Sequence, residues 1–170
     1  LGIAGPSEED ITAAAALSDN ERSEMINSMV AQLEARLRDQ PDDLAGWLRL
    51  AQVKSQLGLR EDAFYASVKA AQLSSRSDII LQALELLLSL DNETERPDAA
   101  MIDAARPLIS QLSDNGDFLA ETLFFSGHIA SLLGDKTEAL LHWQALLRLL
   151  PDGSDAALSL ASEIKKLQNN

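Results

Sequence analysis

LAGWLRLAQVKSQLGLREDAFYASVKAAQLSS, from Leu44 to Ser75, is the stretch whose reading decides the fold. Trp47, Leu50 and Ala51 begin an apolar stripe at helical spacing, and Gly58 ends that first helix. Ala63 and Ala70 are the small contact positions of a second helix. The spacing predicts one helix-turn-helix unit. Such a unit leaves an apolar face uncovered, so neighbours must stack on it.

The unit follows the tetratricopeptide spacing W-x2-L-G…A-x3-F…A, with Ala51 in the glycine slot and Ser67 in the aromatic slot. Composition agrees with helices. The 170 residues are 46% hydrophobic but only 4% aromatic, a mixture suited to close helix packing rather than to β-branched and aromatic sheets. No alternating run of the strand type is present.

Upstream, residues 1–20 form an acidic segment rich in small residues, where Ser7 with Glu8 to Asp10 predicts a short capped helix or partial disorder. From Asn20 the pattern strengthens. Met25, Met29, Leu33 and Leu37 recur every fourth residue, Ile26 and Val30 widen the face, and Gln40-Pro41 stops the helix. Downstream of the first unit, residues 78–90 are apolar nearly all round, as in a helix buried between neighbours. DNETERPD, 91–98, reads as a polar loop, and Pro97 is placed to open the next helix in its first turn. Pro107 then predicts a kink or a frayed start.

A second clear unit begins near Asp117, with Leu123, Gly127 and Ala130 on one face, Gly134-Asp135 at the turn, and Ala139 and Trp143 in the second-helix slots. Gly58 and Gly134 stand 76 positions apart, two periods of about 34 residues and eight more. The polar loop supplies those eight. The expected architecture is therefore an all-α tetratricopeptide superhelix over 21–170, with repeats at about 44–76, 77–117 (insertion 91–98) and 118–152. A capping helix over 154–168 follows, started by Ser154 and carrying Ile164 and Leu167 inward.

Several functions are excluded or disfavoured. With 27 acidic and 14 basic residues the net charge is −13, opposite to the footprint of a nucleic-acid binder. That charge either steers a cationic partner or only keeps a helical surface soluble. The absence of cysteine removes disulfides, thiolate metal sites and cysteine nucleophiles, but does not fix the compartment. No apolar run reaches the roughly 18 to 20 residues that span a bilayer. The start LGIAGPSEED lacks a signal peptide's basic region, and the leucine start suggests a fragment with any membrane anchor upstream of Leu1.

MVAQLEARLRDQPDDLAGWLRLAQVKSQLG, Met29 to Gly58, resembles the start of the periplasmic domain of the cytochrome c maturation subunit family CcmI/CycH. GDKTEALLHWQALLRLLPDGSD, Gly134 to Asp155, resembles it too, through its Gly-Asp turn, Ala, Trp and Leu-Pro ending. The element AAMID, Ala99 to Asp103, is similar to a related subunit of nitrite reductase maturation. The likeness covers most of Ser23 to Leu167, and Ser67 and Ser75 depart from it. It implies a periplasmic, non-catalytic domain of a membrane-anchored protein, which holds apocytochrome c by its C-terminal helix for the haem-ligation subunits. No cofactor is expected, and the domain is expected to be monomeric.

The residues themselves predict a concave groove on the first helices of the repeats. Its walls are Leu48, Gln52 and Ser55, then Gln82 and Leu86, then Phe124, His128 and Ser131. An amphipathic helix would lay apolar anchors there while its cations meet the acidic rim. Phe124 has an alternative reading as core, and His128 as a structural or solvated histidine. A metal at His128 is disfavoured because His142 falls on the following helix. No nucleophile, base and oxyanion constellation occurs. The rival function is a general docking adaptor. Its carboxylate-clamp form is disfavoured because Arg49 is the sole basic candidate near the groove slots.

Overall fold

The computed structural model describes residues 18–91, 96–116 and 118–169. The helix expected after Ser7 lies outside them, as does the middle of the 91–98 loop. The described residues form eight helices and no strand. Helix α1 is Asp19–Asp39, started by a capping box in which the Ser18 hydroxyl accepts from the Glu21 amide and the Glu21 carboxylate accepts from the Ser18 amide. Its inward stripe is Ile26, Val30, Leu33 and Leu37, with Val30 and Leu37 buried and the other two partly so, whereas Met29 is 60% exposed and Met25 is exposed beside it. This corrects the every-fourth-residue reading. A strict spacing of four drifts around a helix of 3.6 residues per turn, and mixed steps of four and three keep to one face.

Helix α2, Leu44–Gln56, starts at Asp43, whose carboxylate accepts from the Gly46 amide at 2.9 Å. Gly58 follows it at φ 75°, with the Leu59 amide bonded to the Lys54 carbonyl. Gly134 repeats this arrangement at φ 78°, with Asp135 bonded to Ala130. Both are left-handed turns that tie off a helix and reverse the chain, which is why glycine occupies them. Helix α3, Arg60–Gln72, then packs back on α2. Lys54 joins three helices, with its ammonium 2.7 Å from Glu34 of α1 and 2.8 Å from Asp62 of α3.

Helix α4, Ser77–Ser89, buries Ile79, Ile80, Ala83, Leu84 and Leu87 and leaves Gln82 and Glu85 exposed. Helix α5, Ala99–Asp114, is started by Asp98, which accepts from the Met101 amide at 2.8 Å. Pro97 therefore precedes the cap rather than opening the first turn. The start is not frayed, and the helix runs on through Pro107. Pro107 and Asp103 both lie on the exposed side, so water can serve the carbonyl that loses its amide partner.

Helices α6 (Leu119–Leu132), α7 (Lys136–Leu147) and α8 (Asp155–Asn169) complete the chain, with the Ser154 hydroxyl accepting from the Ala157 amide. Each helix packs on the next, and α3 also packs on α5. In the last pair a Cβ built on Gly127 would collide with Cδ1 and Nε1 of Trp143. The largest apolar cluster draws Phe64 from α3, Leu84 and Leu87 from α4, Leu108 from α5, and Phe125 and Ile129 from α6. A second cluster joins α1, α2 and α3 through Leu37, Leu50 and Ala66, and a third joins Trp143 and Leu146 of α7 to Leu160 and Ile164 of α8. Trp47, which begins the apolar stripe, is half-buried, with its indole N–H donating to the Pro41 carbonyl at 2.8 Å.

Candidate functional site

Helices α2, α4 and α6 are the first members of three successive pairs. Between α2 and α4 lies a recess of about 500 Å³, lined by Leu48, Ala51, Gln52, Ser55 and Gln56 of α2, Ser67 of α3, and Gln82, Glu85 and Leu86 of α4. Five groove residues expected from sequence, Leu48, Gln52, Ser55, Gln82 and Leu86, are thus brought together. The recess combines apolar walls with side-chain amides and hydroxyls. Its single charge is the Glu85 carboxylate.

Ala51, Gln56, Ser67 and Glu85 were not among the expected groove residues. Glu85 follows Gln82 by three and shares its exposed face, a signal that helical spacing contains. Ser67 belongs to the second helix of its pair, which the repeat pattern assigns to backing. Ser67 is 2% exposed, and its hydroxyl has no hydrogen-bond partner among the described residues.

Phe124, His128 and Ser131 lie on α6 and do not line this recess. Phe124 is 37% exposed, with its ring edge-on to the buried Phe125 at 5.4 Å between centroids. His128 is mostly buried, and its Nε2 lies 3.3 Å from Asp91 Oδ2 without hydrogen-bond geometry. Burial lowers its pKa, opposed by the charges of Asp91 and Glu163. The ring is therefore neutral at neutral pH, and its approach to Asp91 is not an ion pair there. His142 stands apart, 3.7 Å from Glu138 on its own helix. Among the described residues no group of three or more His, Asp or Glu side chains is placed to hold a metal ion, and no helix is long and apolar enough to cross a membrane.

The helix pairs, their glycine turns and the capping helix define an all-α tetratricopeptide repeat superhelix. A solved structure described as the MamA protein shares this fold, with a TM-score of 0.52 at 17% identity over 93% of this chain and 84% of that one. The chain is also 36% identical over 78 residues to the cytochrome c-type biogenesis protein CycH of Bradyrhizobium diazoefficiens. That match covers 46% of this chain and 21% of the relative. It supports the resemblance to the CcmI/CycH family drawn from the sequence. No family model matches the chain.

Proposed function

We propose that the chain is a non-catalytic binding module of cytochrome c biogenesis. As a periplasmic chaperone domain it holds apocytochrome c by its C-terminal helix on the inner faces of α2, α4 and α6, ready for the haem-ligation subunits. The observation that carries this reading is the open recess joining Leu48, Gln52 and Ser55 of one first helix to Gln82 and Leu86 of the next. Mixed apolar and amide chemistry of this kind receives an amphipathic helix, whose side chains alternate between anchoring and solvated positions. The net charge of −13 adds attraction for a cationic helix. The likeness to CycH supports the biological setting.

Calorimetry of the 170-residue chain with synthetic C-terminal helices of several c-type apocytochromes tests the reading. Saturable binding that weakens with salt is expected, and Phe124→Ala is expected to weaken it while leaving the denaturation midpoint nearly unchanged. Failure to bind any of these helices would sink the proposal. Equal affinity for unrelated amphipathic helices would favour the general docking adaptor instead.

A further inference from the structure

Ala51 and Ser67 in the first pair correspond to Gly127 and Trp143 in the third, offset by the 76 positions that also separate the two turn glycines. In the third pair the indole fills the space beside Gly127 so closely that no Cβ fits there. Its N–H is spent on the Phe124 carbonyl at 3.3 Å. In the first pair the aromatic is replaced by a serine whose hydroxyl bonds to nothing described. Ser67 therefore does not serve a neighbouring polar group. Its effect is steric, since the side chain ends where an aromatic ring would continue, and the recess occurs at this pair.

We propose that this recess is a side-chain pocket taking one lysine from the helical partner, with its alkyl stem against Leu48 and Leu86 and its ammonium at Glu85. The identity of the partner rests on the groove reading above; the chemistry of the pocket does not. The lining holds one carboxylate and no cation, so an anionic side chain finds no counter-charge there. An apolar side chain could fill the space but would leave Glu85 and the glutamines without added partners. A lysine stem covers the apolar wall, and its three donors match the Glu85 carboxylate and the amide oxygens of Gln52 and Gln82. The volume, about 500 Å³, also admits part of the helical turn that carries it.

The test needs no protein ligand. Hexylammonium, titrated into the isotopically labelled 170-residue chain, is expected to shift the side-chain amide resonances of Gln52, Gln56 and Gln82 saturably. Hexanol at equal concentration should shift them at least fivefold less. Ala51→Gly combined with Ser67→Phe, which restores both the glycine and the aromatic of the third pair, should abolish the shift while keeping the folded spectrum. Glu85→Gln should weaken hexylammonium binding severalfold without altering the response to hexanol. The proposal is overturned by no shift in the natural chain, by an equal response to hexanol, or by a response that survives the Ala51→Gly, Ser67→Phe double variant. Shifts that follow protein concentration alone would assign the recess to a second copy and overturn it as well. Because the probe is a small cation, a positive result stands even if every apocytochrome helix fails to bind, and the groove reading can succeed with this pocket empty.

Discussion

Gly127 and Trp143 occupy one another's space, for the glycine of α6 presents bare backbone to the indole ring of α7 and any added carbon would collide with it. The ring is buried and held through its N–H, so it has little room to retreat. Gly127→Ala therefore opposes two effects. Alanine gains about 1 kcal/mol of helix propensity over glycine, while overpacking costs about 1 to 3 kcal/mol. Because the added carbon would collide with two atoms of a held ring, the cost lies in the upper part of that range, and we expect a net loss of about 1 to 2 kcal/mol in urea denaturation. A variant as stable as the natural chain would show that Trp143 shifts freely.

Trp47 touches both the largest apolar cluster and the one that joins α1, α2 and α3, while remaining half-exposed. Full burial of a tryptophan is worth about 3 to 5 kcal/mol on truncation to alanine. For Trp47→Ala the loss should be about 2 to 3 kcal/mol, including the bond to the Pro41 carbonyl. An unchanged denaturation midpoint would mean that the indole contributes no packing.

His128 should make the fold sensitive to mild acid. Burial holds its folded pKa below the ordinary value of 6.5, against the opposing pull of Asp91 and Glu163. The unfolded chain accepts the proton first as pH falls. The contribution is fully present above the unfolded pKa and is lost as pH falls through the folded one. Between about pH 7.5 and 5.5 the natural chain should lose more stability than His128→Gln. Parallel stability profiles for the two proteins would refute this.

Helix periodicity and turn glycines made the architecture legible, because Gly58 and Gly134 are required by left-handed backbone that few other residues adopt. Five of the residues expected in the groove meet at one recess, since positions on one face of a first helix follow from spacing. Other features depended on what the chain meets in space. Met25 and Met29 share a periodic pattern with buried residues, yet α1 is covered only along its other edge. Ser67 could be read as a departure from the repeat, but the volume left by a missing ring exists only once α2 and α4 stand on either side. His128 drew attention as a groove residue, while its approach to Asp91 depends on where the α4 helix ends.

The division of the apolar interior into clusters bears on how the chain transmits strain. Helix α6 gives Phe125 and Ile129 to the largest cluster, whereas α7 gives Trp143 and Leu146 to the one shared with α8. The boundary thus runs inside a single helix pair, and the Gly127–Trp143 contact spans it. Ala120 and Leu123 of α6 also pack on the cluster shared with α8, so α6 touches both interiors. The last repeat thus packs on both the end of the superhelix and its centre.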